Sequence, residues 1–78
     1  MADLTTAQVG DRVIFESADS VYEVQNVTAP GVFETVNRSP LSSLHAAWEI
    51  ALGQMGPEGS NVWVRHHSTP NSIEPYGR

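Results

Sequence analysis

Three histidines are the residues best suited to metal binding or proton transfer, namely His45, His66 and His67. An imidazole changes its charge near neutral pH and is a common metal ligand. His66 and His67 are adjacent, and adjacent residues on a strand point to opposite faces, so the pair cannot chelate one ion. No carboxylate lies at ligand spacing beside them. The sequence therefore predicts no metal site.

Other catalytic arrangements are not indicated either. Serines are plentiful, but none lies in a nucleophile elbow or a comparable motif. Paired carboxylates would lie on the surface of a domain too small to form a deep pocket. The glycine-rich stretch 53–60 matches neither a phosphate-binding loop nor a dinucleotide-binding fingerprint. We predict no catalytic residue, no cofactor and no enzymatic activity.

The charge balance favours a protein partner over nucleic acid. Nine acidic residues and four arginines, with no lysine, give a net charge of −5. Such a chain repels a phosphate backbone, which predicts no direct binding to nucleic acid. An acidic surface suits a basic protein, because complementary potentials steer the encounter.

The compartment and the domain organisation follow from composition. The chain has no cysteine, which suits a reducing compartment, and residues 1–12 lack the basic and apolar regions of a signal peptide. No segment approaches the roughly 20 apolar residues of a membrane span. We expect a cytoplasmic protein without membrane association. The 78 residues predict one compact domain over residues 1–67 and an irregular tail over 68–78, where small polar residues and two prolines predominate.

The strongest periodic signal lies between Ser39 and Met55. Apolar residues recur at spacings of three and four, which places them in one stripe of a helix. The stripe comprises Leu41, Leu44, Trp48, Ala51, Leu52 and Met55. Ser39 is the predicted N-cap, Pro40 takes the first helical position, and Gly53 or Gly56 ends the helix.

Alternating patterns predict four strands, over residues 12–16, 21–28, 32–37 and 61–67. Pro30 and Gly31 form a predicted type II turn between the second and third strands. The order β-β-β-α-β predicts an α+β fold, in which an antiparallel three-stranded meander and a fourth strand carry the helix on one face. We expect the helix stripe to pack on Val13 and Phe15. The other sheet face either exposes apolar residues or is covered as well.

Two apolar surfaces are left over as candidate interfaces. The helix back is nearly uncharged, and it is either an exposed face of good helix formers or a contact surface. If Val62 and Val64 face the helix, Trp63 projects from the other side of the sheet, and aromatic residues are favoured at binding hot spots. We therefore expect Trp48 to be required for folding and Trp63 to be dispensable for it. The predicted partner-binding residues are Trp63, Ile14, Phe33, Ala46, Ala47 and Ile50.

These features predict a small acidic, non-catalytic module that modulates or inhibits a partner protein. One alternative is a structural homodimer that pairs the same surfaces. Another is an acidic mimic of nucleic acid that occupies a basic groove of its target. In that reading one side of the sheet is lined by Glu16, Asp19, Glu23 and Glu34.

Two resemblances add to these predictions. The sequence VGDRVIF over residues 9–15, followed by a valine-rich strand, is similar to the opening of small SH3-like barrels. It covers about residues 8–28, and the helix before the last strand departs from that family's pattern. In size, acidity and lack of motifs, the whole chain resembles the small accessory proteins with which bacteriophages bind and disable a host factor. This second resemblance implies an inhibitory role.

Overall fold

A mixed β-sheet carries an α-helix on one face in this computed structural model, which describes residues 2–37, 39–54 and 61–76. The strands are β1 (Ala2–Asp3), β2 (Arg12–Glu16), β3 (Tyr22–Ala29), β4 (Val32–Thr35), β5 (Val62–His66) and β6 (Ser72–Tyr76). Helix α1 (Leu44–Gln54) lies between β4 and β5 in the chain. The predicted α+β class, with a small sheet and one helix packed on it, is confirmed.

The strand order across the sheet is β1-β6-β5-β2-β3-β4. Strands β2, β3 and β4 form the predicted antiparallel meander. The fourth predicted strand, β5, lies on the other side of β2 and runs parallel to it. A parallel neighbour requires a long crossover connection, which the segment containing α1 provides. The sheet is therefore mixed and not purely antiparallel. Within the described residues, the outermost strands β1 and β4 do not pair with each other, so the sheet is not the closed barrel that the SH3-like resemblance implies.

The prediction of an irregular tail is wrong for residues 72–76, which form β6. This strand pairs antiparallel with β5, with Val64 opposite Glu74. Ile73 is fully buried, and its burial stabilises the strand. Pro75 is tolerated because β1 pairs only with the beginning of β6, which leaves the Pro75 end at the sheet edge.

Two turns set the strand directions of the meander. Gly31 has a φ of 78°, the left-handed value that a type II turn needs at its third position, as predicted. The β2–β3 loop is closed by the Ser17 N–H, which donates to the Val21 carbonyl at 3.0 Å. Ser20 in this loop has a φ of 60° although it is not glycine.

Helix α1 begins later than predicted. Its N-cap is Ser43, whose Oγ accepts a hydrogen bond from the Ala46 N–H at 3.0 Å. Leu41 lies before the helix, because it exchanges two backbone hydrogen bonds with Tyr22, at 2.8 and 3.0 Å. The prediction that Ser39 caps the helix is therefore wrong. The predicted stripe residue Met55 and the alternative end at Gly56 lie outside the described residues.

Both faces of the sheet are covered by apolar residues. On the helix face, the buried residues are Ile14, Val24, Ala47, Ala51, Val62 and Val64. On the opposite face, here called the far face, they are Ala7, Val13, Val27, Trp63 and Ile73. Leu4 packs against this second cluster, so the segment that precedes β2 covers part of the far face.

The side chains that β2 and α1 direct toward each other differ from those predicted. Ile14, and not Val13 or Phe15, points to the helix. A strand covered on both faces carries consecutive apolar residues, so alternation does not reveal which face is which. On α1, Ala47 and Ala51 are one turn apart and both are fully buried against the sheet, whereas Leu52 is exposed.

A buried carboxylate connects the N-terminal segment to β5. Asp11 is 5% exposed and accepts three hydrogen bonds. The donors are the Gln8 N–H at 3.0 Å, the Asn61 N–H at 3.1 Å and the Trp63 indole N–H at 2.9 Å. A buried charge is tolerated only with such partners, so these bonds hold the covering segment on the far face.

Candidate functional site

Three of the predicted partner-binding residues belong to the core. Ile14 and Ala47 are fully buried, and Trp63 is only 9% exposed. Trp63 does project from the far face, as predicted, but the N-terminal segment and Asp11 cover it there. The prediction that these three side chains form an exposed surface is wrong, since each is buried within the fold.

The other three predicted residues are half-buried. Ile50 packs against the helix-face core, and Ala46 lies beside the fully buried Ala47. The predicted back of the helix is thus turned partly inward and does not form a continuous outer surface. Phe33 lies on the far face, where it packs against the buried cluster.

Phe33 forms a patch with Phe15 and Arg65 on the far face. The Arg65 guanidinium carbon lies 5.4 Å from the centre of the Phe15 ring and 5.7 Å from that of Phe33. These distances are within the range of cation–π attraction. The Arg65 Nε–H also donates to the Pro70 carbonyl at 2.6 Å, which fixes the side chain. All three side chains are half-buried, and we call them the aromatic–arginine patch.

The sheet register explains how the patch forms. Phe15 and Arg65 are direct neighbours in the parallel pairing of β2 with β5. Phe33 reaches them from β4, across β3. Sequence reasoning missed Phe15 and Arg65 because their proximity depends on a pairing between strands that are fifty residues apart. The alternation in each strand was visible, but the pairing of the two strands was not.

The outer edge of β4 lies beside the patch. The Val36 N–H donates to the Val24 carbonyl at 2.8 Å, so Val36 directs its backbone toward β3. Backbone groups alternate along a strand, so Phe33 and Thr35 direct their N–H and C=O groups away from β3. Within the described residues, no strand pairs with this outer side of β4. Val32 is 53% exposed at the same edge.

Two acidic side chains lie near this edge, and the Arg65 guanidinium carbon lies 5.7 Å from the centre of the Phe33 ring on the far face. Glu34 is exposed on β4, and Glu23 on β3 accepts a hydrogen bond from the Thr35 hydroxyl at 2.9 Å. No other charged residue occurs in β3 or β4. The edge therefore presents unpaired backbone groups, with the exposed Glu34 as the charged side chain on its helix face.

A second polar cluster lies on the helix face and joins three strands. The Glu16 carboxylate is hydrogen-bonded to the His66 imidazole, and it accepts a hydrogen bond from the Tyr22 hydroxyl at 3.2 Å. The hydrogen bond with His66 lowers the pKa of Glu16, with a smaller contribution from Tyr22, while burial acts in the opposite direction. Burial, followed by the bond to Glu16, raises the pKa of Tyr22. The cluster links β2, β3 and β5 and accounts for one of the three histidines.

Within the described residues, the other two histidines do not form a metal site with this cluster. His45 lies on the outer side of α1, 3.6 Å from Glu49. No three histidine, cysteine or acidic residues come together at metal-binding distance in the part of the chain that the structure describes.

A scan against protein-family models, a search of curated proteins and a search of solved structures each found no match. Within residues 2–37, 39–54 and 61–76, no helix has the length and apolar character needed to cross a bilayer. The function must therefore be inferred from the patch and the β4 edge themselves.

Proposed function

We propose that the protein is a small acidic, non-catalytic binding module that modulates or inhibits a partner protein through the aromatic–arginine patch. The observation that carries the proposal is the position of Phe15, Phe33 and Arg65. They contact one another on the far face, where Phe33 packs against the buried cluster and all three side chains stay partly exposed.

The chemistry of the patch suits an interface. Aromatic residues and arginine dominate the energetics of protein–protein binding, especially where they cluster. Arg65 is already held by two rings and by the Pro70 carbonyl, so it loses little conformational freedom when a partner docks. The half-buried phenylalanine rings still have apolar area to remove from water.

The charge distribution indicates the kind of partner. The net charge of −5 raises the encounter rate with a basic protein. On the far face, the acidic Glu23 lies directly opposite Phe15 in the pairing of β2 with β3. A module of 78 residues that covers a basic surface of another protein is suited to inhibit it, which is the role implied by the resemblance to phage accessory proteins.

Acidic mimicry of nucleic acid is supported less well. Glu16 and Glu34 belong to the helix face, whereas Glu23 belongs to the far face, so these acids do not line one side of the sheet. Glu16 is also bonded to His66 and Tyr22. The acidic residues are thus too dispersed to imitate a phosphate backbone.

The test is capture of a partner from a lysate of the source organism, followed by affinity measurements with purified partner. The informative variants are Phe15→Ser and Arg65→Gln, with Leu52→Ser as the control. Leu52→Ser also replaces an apolar side chain with serine, but on the exposed side of α1. We expect an affinity loss of at least about ten-fold for both patch variants and little change for the control. Thermal melts must show that each variant is folded. Loss of binding in Leu52→Ser alone would refute the proposal.

A further inference from the structure

The two edges of the sheet are protected to different degrees. At one edge, β1 pairs with Ser72 and Ile73, and Pro75 has no N–H to offer farther along β6. Proline and a short covering strand are devices that prevent an edge from pairing with another chain. Strand β4, at the other edge, contains no proline and no basic residue. Its edge is therefore open to strand addition.

The side chains of β4 define what a neighbouring strand would meet. Phe33 and Thr35 lie on the far face, next to the patch, while Val32 and Glu34 lie on the helix face. A strand that pairs with β4 places its own side chains alternately beside these two sets. Residues beside Phe33 are favoured if they are apolar, and residues beside Glu34, on the opposite face, are favoured if they are basic.

We propose that an extended basic segment of the partner protein binds by adding a strand to the outer edge of β4. This inference rests on the proposed function and names the binding mode and partner chemistry. Main-chain hydrogen bonds to Phe33 and Thr35 supply affinity, and alternating side chains supply specificity. Charge complementarity selects the occupant, since the charged residues of β3 and β4 are Glu23 and Glu34.

A second copy of this chain is a poorer occupant of the same edge. Antiparallel pairing of β4 with itself brings two copies of Glu34 close together. Like charges in neighbouring cross-strand positions are destabilising. Each copy also carries a net charge of −5, which opposes association.

The probe is a synthetic peptide of about seven residues, a usual strand length, in which valine and arginine alternate. A peptide that alternates valine with glutamate is the charge control, and an N-methylated valine–arginine peptide lacks the backbone donors. Binding to the full chain is followed by NMR of the backbone amides. We expect the valine–arginine peptide to bind, and to slow the hydrogen exchange of the Phe33 and Thr35 amides.

Two variants at Thr35 isolate the backbone contribution. Thr35→Pro and Thr35→Val both remove the hydroxyl that donates to Glu23, but only proline also removes the outward N–H. We expect Thr35→Pro to weaken binding of the valine–arginine peptide at least about ten-fold, and Thr35→Val to change it about two-fold or less. Circular dichroism checks that both variants are folded.

Three results would overturn the inference. Peptide binding that survives Thr35→Pro but is lost in Phe15→Ser would show that the patch binds without strand addition. Absence of peptide binding, while a captured partner still depends on Phe15 and Arg65, would leave the proposed function standing and remove this inference alone. Self-association that protects the Phe33 and Thr35 amides without peptide would make a second copy the occupant.

Discussion

Replacing Trp63 with alanine is expected to remove a large part of the stability of the fold. The side chain is 9% exposed and packs in the far-face core. Truncating a buried tryptophan costs about 3–5 kcal/mol. A domain of this length has about 4–12 kcal/mol of stability at the usual 0.05–0.15 kcal/mol per residue. The loss is therefore about the whole stability at the lower end of this range and about a third of it at the upper end.

A second variant separates the hydrogen bond from the packing. Trp63→Phe keeps an aromatic ring in the core but loses the indole N–H that donates to Asp11 at 2.9 Å. A hydrogen bond to a charged group contributes about 1.5–3 kcal/mol, and we expect a loss of this size. Trp48 is half-buried, in edge-to-face contact with Tyr76 at 6.2 Å, so Trp48→Ala should cost less than Trp63→Ala.

The assay is urea unfolding followed by far-UV circular dichroism, with the slope checked for two-state behaviour. We expect the wild type to be the most stable, Trp63→Phe to be less stable, and Trp63→Ala to be the least stable. Trp48→Ala should be more stable than Trp63→Ala. The assignment of Trp63 to the core would be refuted if Trp63→Ala unfolded at the same urea concentration as wild type while Trp48→Ala was unfolded without urea. It would favour the opposite expectation drawn from the sequence alone.

Three further predictions concern the loop, the polar cluster and the helix. Ser20→Gly should raise the free energy of unfolding by up to about 1 kcal/mol, because Ser20 has a φ of 60°, which glycine adopts without strain. Thermal melts measure this change, and Ala18→Gly is the control variant that should be destabilised. Glu16→Gln should be less stable than wild type at pH 7, and the difference should shrink below about pH 4.3, the ordinary pKa of glutamate, because the hydrogen bond with His66 lowers the pKa of folded Glu16. The stability from this group is present above that pH and is lost as the pH falls through the lowered pKa, which urea unfolding at several pH values will show. Ala47→Leu should cost about 1–3 kcal/mol by overpacking the fully buried helix–sheet contact, whereas Ala46→Leu, on the half-buried side, should cost less.

Each of these has a contradicting result. A lower melting temperature for Ser20→Gly than for Ala18→Gly would show that the loop is not strained at Ser20. A Glu16→Gln difference that is constant from neutral to acidic pH would show that the carboxylate makes no pH-dependent contribution. An Ala47→Leu variant as stable as wild type would return Ala47 to the exposed back of the helix.

The general architecture was accessible from local patterns. The spacing of three and four located α1, the alternation in residues 12–16 located β2, and the Pro30–Gly31 pair located the turn into β4. These signals are local because they depend on the backbone conformation and on the spacing of residues within one element. The start of α1 was misplaced because Leu41 prefers a pairing with Tyr22, a contact made across nineteen residues.

The candidate site was harder to predict, because it depends on tertiary pairing. Phe33 was among the predicted partner-binding residues, and it belongs to the aromatic–arginine patch. Phe15 and Arg65 meet only through the parallel register of β2 with β5, which no local pattern specifies. Trp63 was assigned to the correct face, but its burial by the N-terminal segment required the hydrogen bonds to Asp11.

The most direct test of the proposed interface is a map of amide chemical-shift changes when the captured partner is added to the isotopically labelled chain. The proposal predicts that the changes concentrate at Phe15, Phe33, Thr35 and Arg65. Changes concentrated at His45, Glu49 and Leu52, on the outer side of α1, would contradict it.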